Sequence, residues 1–212
     1  MNRSRHHVPL AVAIAVALFA LSPVPAARAA DRSVQVSLLG GVQALNKSDT
    51  ALPESFVNVP ATLALGYSLD RTWAVEGEFS WLIPVSQKVD LGTLGTVDRK
   101  TPDMLLYQAN VVAKLPLESA AWSPYLEAGA GGLTLMSNDD PDRLPALAKS
   151  QSVFAINFGA GASYAVNTHW GLRADYREYV AFPADDTPGF STNGKADALW
   201  MERGALGLTW QF

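Results

Sequence analysis

The chain closes on LWMERGALGLTWQF, residues 199–212, and the end of that stretch alternates up to the last side chain. Counting back from the terminus, Phe212, Trp210, Leu208 and Leu206 share one face, while Gln211, Thr209, Gly207 and Ala205 share the other. A period of two belongs to a strand whose faces meet different surroundings. Soluble sheets also contain such strands, so the weight of this one depends on the rest of the chain.

Seven further segments carry the same period. They are Ser33–Leu45, Val59–Leu69, Trp73–Ile83, Met104–Leu115, Pro124–Leu135, Val153–Val166 and Trp170–Val180. In the third, Trp73, Val75, Phe79, Trp81 and Ile83 oppose Glu76, Glu78 and Ser80; in the seventh, Trp170, Leu172, Ala174 and Tyr176 oppose Arg173, Asp175 and Arg177. The connections alternate in length. Residues 70–72, 116–123 and 167–169 are short, whereas 46–58, 84–103, 136–152 and 181–198 are long and rich in Asp, Pro, Gly, Ser and Lys. Short turns at one end and long loops at the other are the layout of a membrane barrel. A soluble sandwich has no reason to alternate so strictly. The reading is an all-β chain, an eight-stranded antiparallel up-and-down transmembrane β-barrel.

The other end of the chain agrees. Arg3 and Arg5 precede an apolar run from Val8 to Leu21, and Ala27-Arg28-Ala29 fits a small-x-small cleavage site, which predicts a Sec signal peptide over residues 1–29 and a mature barrel domain over 30–212. The run is shorter than the roughly 20 residues of a helical span. Without Arg3, Arg5 and Arg28 the mature chain has 13 basic against 20 acidic residues, which argues against a nucleic-acid surface. Zero Cys removes disulfides, thiolate metal sites and thiol catalysis.

Alternation alone does not say which face turns inward. Two features decide it. Aromatics gather at the strand ends on the apolar face: Tyr67, Trp73, Tyr164, Trp170, Trp210 and Phe212 beside the short turns or terminus, and Phe79, Trp81, Tyr107, Phe154 and Tyr176 toward the long loops. Two girdles around a paler band suit the two membrane–water boundaries; a soluble core would hold its largest residues in the middle. The polar face carries four acids, Glu76, Glu78, Glu127 and Asp175, against four bases, Lys114, Arg173, Arg177 and Arg203. Inside a narrow eight-stranded lumen such charges must pair or stay wet, so an internal ion-pair network is expected. Glu178 and Glu202 are the outward exceptions, near the long-loop ends of neighbouring strands, and are read as solvated interface residues.

With these features in place, the chain resembles the small eight-stranded outer-membrane barrels of the OmpA transmembrane-domain and OmpX kind. The resemblance rests on Phe-Gly-Ala-Gly-Ala-Ser-Tyr at 158–164, followed by a short turn and Trp-Gly-Leu-Arg-Ala-Asp-Tyr-Arg at 170–177, and on the terminal Trp-Gln-Phe. It implies a bacterial outer-membrane location and contacts with lipid and lipopolysaccharide. It also implies that Leu206, Leu208, Trp210 and Phe212 form the C-terminal signal read by the barrel-assembly machinery. The peptidoglycan-binding domain of full-length OmpA-type proteins has no counterpart here, so cell-wall anchoring is not expected.

Chemistry is sparse. The pairs Gly129/Gly131 and Gly159/Gly161 lie inside strands rather than at a strand-to-helix turn, so they fail as a nucleotide loop; placed inward, they leave room for long side chains from the opposite wall. His169 is the one His of the mature chain. Lipid A deacylase barrels place a Ser two residues after such a His, and here that residue is Gly171, so no nucleophile–base pair assembles. Asp139, Asp140 and Asp142 lack the spacing of a calcium loop. Ion pairing accounts for Glu76 and Glu78 better than a glycosidase pair. The expectation is a non-enzymatic, monomeric envelope barrel without cofactor or metal, its lumen plugged and its long loops facing the environment and some partner. A narrow porin-like passage is the first alternative, a lipid-modifying enzyme the second, and a soluble lipocalin-like binder the rival at the level of the fold.

Overall fold

The computed structural model describes residues 33–46, 55–90, 95–115, 117, 121–140, 142–143, 147–185, 191–192 and 195–212. The expected signal peptide and its cleavage site lie outside the described residues.

The strands are β1 (Ser33–Leu45), β2 (Phe56–Ser68), β3 (Trp73–Pro84), β4 (Gln87–Asp90), β5 (Thr96–Arg99), β6 (Met104–Lys114), β7 (Trp122–Leu135), β8 (Gln151–Ala165), β9 (Trp170–Phe182), β10 (Ser191–Thr192), β11 (Lys195–Ala196) and β12 (Leu199–Gln211). The eight long ones close a barrel in the order β1-β12-β9-β8-β7-β6-β3-β2, each antiparallel to its neighbours. These are the eight segments that the alternation marks, with ends moved by up to three residues. The short strands form two small hairpins, β4–β5 and β10–β11, within the second and fourth long loops. Segments of four and two residues are too short for periodicity to reveal.

Register fixes the geometry. The row of partners Gln43, Arg203, Arg177, Gly159, Glu127, Val112, Ala74, Ser68 and Ser33 runs once round the barrel and returns to β1 ten positions from its start. That stagger tilts the strands and sets a lumen just wide enough for side chains. Every member of the row points inward. Outward positions are apolar and exposed, among them Leu38, Leu63, Leu65, Leu126, Phe158, Leu206 and Leu208.

Two of the short turns use one device. Asp70 Oδ1 accepts the N–H groups of Thr72 and Trp73, both at 2.7 Å, and Asn167 Oδ1 accepts those of His169 (2.9 Å) and Trp170 (2.8 Å). An Asx side chain thus caps each turn and delivers a Trp to the next strand. These backbone donors hold the Asp70 carboxyl below its usual range.

The second and third long loops are tied by ions. Lys100 Nζ lies 2.7 Å from Asp140, Arg99 2.9 Å from Asp142, and Arg143 2.5 Å from Asp103 and 3.7 Å from Asp140. Lys100 N–H also donates to the Asp142 carbonyl at 3.0 Å. The Lys100 ammonium, with the Asp142 N–H, holds the Asp140 carboxyl below its ordinary value of 3.8. A carboxylate with a depressed folded pKa contributes above its unfolded value and stops contributing as pH falls through the folded one. The tie is therefore expected to persist at about pH 5 and to release only in stronger acid. Hydrogen-exchange protection of the Lys100 amide reads this directly; protection lost between neutral pH and about pH 5 would contradict the assignment.

Candidate functional site in the lumen

Strand parity delivers the charges. Glu76 and Glu78 project inward from β3, Glu127 from β7, Arg173, Asp175 and Arg177 from β9, and Arg203 from β12, and all seven are buried. In the ring order β9 stands opposite β3, so the β9 arginines reach straight across the lumen. Arg177, with no exposed side-chain surface, meets four carboxylates: Glu76 at 2.9 Å, Glu78 at 2.9 Å, Asp175 at 3.3 Å, and Glu127 through its Nε. Arg203 forks onto both oxygens of Glu78 at 2.8 and 2.9 Å and donates to Ser80 Oγ at 2.9 Å. Arg173 is bidentate on Glu76, reaches Glu127 at 3.4 Å, and donates Nε to Tyr125 Oη at 2.7 Å.

Lys114 stands apart from this group. It lies at the short-turn end of β6, where Nζ donates to Ser68 Oγ at 2.6 Å, and among the described residues it has no carboxylate within ion-pair distance. The charged layer is thus four acids and three guanidinium groups. Lys114 lines a small open vestibule at that end, with Gln35, Ser68, Ser123, Tyr125 and Ser163.

Two tyrosines complete the layer that the charge pattern alone does not signal. Tyr125 lies under the Arg173 guanidinium, 5.1 Å from ring centre to Cζ. Tyr179 donates to Glu78 Oε1 at 3.0 Å and lies 5.2 Å from Arg203 Cζ. Both follow from parity, being an even number of residues from Glu127 and Arg177. Beside them an amide layer forms, Asn157 Nδ2 donating to Gln108 Oε1 (3.1 Å) and Asn110 Oδ1 (2.8 Å).

The inward glycines make room, but for adjacent strands rather than for the opposite wall. A Cβ on Gly159 would meet the Tyr176 carbonyl oxygen at 2.4 Å and Arg177 Cγ at 2.9 Å, one on Gly161 the Tyr125 phenol, and one on Gly129 the Asn110 amide. Gly159→Val is therefore expected to push β8 away from the β9 backbone at Tyr176, displace Arg177 and lower stability by about 1–3 kcal/mol, the range for overpacking. Urea unfolding in lipid vesicles tests it; a midpoint equal to that of the parent would show that Arg177 has other room.

The long-loop half of the lumen departs from the expected polar interior. There most inward side chains are apolar: Leu45, Phe56, Leu82, Met104, Leu106, Leu133, Leu135, Leu199 and Met201 form one buried cluster with Tyr179, Ala155 and Ala181, the loop residues Val89 and Leu147 join it from above, and Gln43 and Asn58 are buried polar neighbours at its edge. The lumen is therefore ionic in the middle and apolar at the long-loop mouth. The inward residues near the long-loop ends of β1, β2, β3, β6, β7 and β12 are Leu, Met or Phe, which is the sequence signal for this plug.

On the outer wall all eleven expected girdle aromatics are exposed or half-exposed. Trp170 meets Trp210 edge-on at 4.6 Å, and Trp210 meets Phe212 at 6.3 Å. Trp122 belongs to the short-turn girdle as well, 4.9 Å from Tyr164, and Trp200 and Phe182 to the long-loop one. β7 starts at Trp122 rather than Pro124, so Trp122 lies ahead of the alternating segment and on its outward parity. The C-terminal residues pair with β1, Leu208 opposite Leu38 and Trp210 opposite Val36, and Phe212 N–H donates to the Val34 carbonyl at 2.9 Å. Glu178 and Glu202 stand directly opposite one another on the outer face, and Glu202 accepts from Asn46 Nδ2 at 3.2 Å. His169 lies in the β8–β9 turn, Nδ1 3.0 Å from Thr168 Oγ1 and its ring 5.2 Å from Trp210. Asp140 and Asp142 are spent on the loop ion pairs.

A closed ring of eight antiparallel strands with an apolar, aromatic-rimmed exterior is the geometry of a membrane barrel. Residues 12–212 match the family model described as the outer membrane protein beta-barrel domain. The chain belongs to this family. Among solved structures, this outer-membrane barrel is similar to the N-terminal barrel domain of Pseudomonas aeruginosa OprF (14% identity, 85% of this chain and 97% of that one, TM-score 0.51). It is also similar to Neisserial surface protein A (16% identity, 88% and 100%, TM-score 0.53). At such identities the likeness concerns the fold. Among curated proteins none matches the chain. Membership places this outer-membrane barrel in the bacterial outer membrane, and among its described residues no helix is long and apolar enough to cross a bilayer.

Proposed function

We propose that this protein is a non-enzymatic envelope barrel with a closed lumen, monomeric, whose body stabilises the outer membrane and whose long loops meet a partner outside the cell. One observation carries the reading. Arg177 spans the lumen from β9 to Glu76 and Glu78 on β3 with no exposed side-chain surface, and an apolar cluster fills the mouth above it. A passage for solutes needs a wetted path, and both layers stand in its way. The four acids and three guanidinium groups are held by one another, which supports a structural role for the residues of this layer. The name of Neisserial surface protein A is in keeping with outward-facing loops.

The same reading includes export through a signal peptide over residues 1–29, contact with lipid and lipopolysaccharide through the girdles, and delivery to the assembly machinery by Leu206, Leu208, Trp210 and Phe212. No nucleic acid, cofactor or metal enters it. The test is single-channel recording of the refolded protein in planar bilayers. Silent membranes are expected; steady ohmic steps would replace this function with a porin-like passage. Mass spectrometry of lipid A from cells with and without the protein tests the enzymatic alternative, with identical spectra expected.

A further inference from the structure

The apolar mouth is a cup with a lid. Its wall is built by barrel side chains such as Phe56, Leu82, Met104, Leu133, Leu135 and Met201, but its upper filling comes from two loops. Val89, on the β4–β5 hairpin, and Leu147, between β7 and β8, are each 1% exposed within it. The same loops are joined by ion pairs, Arg99 with Asp142, Lys100 with Asp140, and Arg143 with Asp103 and Asp140, beside the backbone bonds of Lys100 N–H to the Asp142 carbonyl and of Asn138 N–H to the Leu147 carbonyl. Half-exposed ion pairs are individually weak, so the lid rests on contacts that are easily undone, while the wall belongs to the barrel itself.

We propose that the mouth of this barrel is a cryptic binding site for a small uncharged apolar molecule, covered by Val89 and Leu147 and released when the Arg99–Asp142, Lys100–Asp140 and Arg143–Asp103 pairs open. The class of ligand follows from the lining. Few polar groups border the cup, and none is charged: the Tyr179 hydroxyl donates to Glu78, Gln43 Nε2 donates to Met201 Sδ at 3.2 Å, and the Thr101 hydroxyl donates to Asn58 Oδ1 at 2.7 Å. That leaves the Gln43 side-chain carbonyl and the Asn58 amide N–H as the buried polar edge of an otherwise apolar site. The volume to be filled is that of one Val and one Leu side chain, about seven carbon atoms, which is the size of a single substituted aromatic ring. An apolar cavity emptied of its side chains stays dry and takes such molecules. A site populated in only a fraction of molecules binds with its affinity reduced by that fraction, so weakening the tie raises the apparent affinity. This extends the closed-barrel reading without depending on it, because the ion layer below still separates the cup from the vestibule.

The barrel carries its own reporters. Met104 and Met201 lie in the cup, and Met136 is exposed outside it. With ¹³C-methyl methionine in lipid nanodiscs, toluene is titrated against the parent protein and against Asp103→Asn/Asp140→Asn/Asp142→Asn, whose barrel integrity is checked by circular dichroism. The expected result is a saturable shift of the Met104 and Met201 methyls in the variant, at a toluene concentration roughly tenfold below that needed by the parent. Met136 moves only with the bulk partitioning of toluene into lipid. Leu147→Ala, which vacates the cup without touching the ion pairs, is expected to behave like the variant. Cup methyls that never saturate, or that follow Met136 in all three proteins, overturn the proposal. Bilayer current is not read in this test, so its failure leaves the closed-lumen function to its own experiment.

Discussion

Arg177→Met lowers the free energy of unfolding by about 3–5 kcal/mol, the cost of stranding buried charge when one partner of an ion pair is removed. The size follows from position. Arg177 contacts Glu76, Glu78, Glu127 and Asp175 together, so its loss leaves four carboxylates to share Arg173 and Arg203. Methionine keeps much of the volume, and cavity formation therefore contributes little. The control is Lys114→Met. Lys114 hydrogen-bonds Ser68 at the open vestibule, and its removal is expected to cost about 1 kcal/mol or less. Urea unfolding in vesicles, followed by tryptophan emission and gel mobility, separates the two variants. Equal midpoints would mean that water relaxes the charged layer and that the network is not what holds the lumen together.

Leu63→Arg is expected to destabilise the barrel by about 2–4 kcal/mol, the range for a basic residue at the bilayer midplane. Leu63 lies mid-strand on β2, outward, with Leu38 and Phe79 as cross-strand neighbours. Hydrocarbon offers the guanidinium no partner, and the nearest polar level is half a bilayer away. Ser152→Arg, outward near the long-loop end of β8, is expected to cost about 0–1 kcal/mol because it sits at the interface. A depth-independent effect at the two sites would contradict the lipid-facing assignment of this wall. The pair also isolates the bilayer from the fold: in detergent micelles, which deform around a charge, the difference between the two variants shrinks.

Much of the architecture was legible because a strand reports its two faces residue by residue. Glu76 and Glu78 share parity with Ser80, and Arg173 and Arg177 with Asp175, so no tertiary knowledge is needed to put them on one side. Turn length was equally plain, since Asp70 and Asn167 close turns of a few residues whose hydrogen bonds are local. The girdles came from the same reading, apart from Trp122, Trp200 and Phe182. Trp122 keeps the outward parity of Pro124 and Leu126 but lies before the segment that begins at Pro124. The fate of Lys114 was not legible. Parity puts it inside, but whether it meets Glu76 or only Ser68 depends on the stagger of β6 against β3, and stagger is a relation between strands.

What the sequence determined by itself is the period, the polarity of each face, the alternation of short and long connections, and hence a barrel of eight strands with charge inside. Each of these depends on neighbours a few residues apart along the chain. The structure alone decided which charges touch, that Arg177 is the hub, that glycines on β7 and β8 make way for Tyr125, Arg177 and Asn110 beside them, and that Val89 and Leu147 come down from two different loops to fill an apolar mouth. Those contacts join residues separated by tens of positions. They depend on the ten-residue stagger of the closed ring, which is fixed only when β12 finds β1.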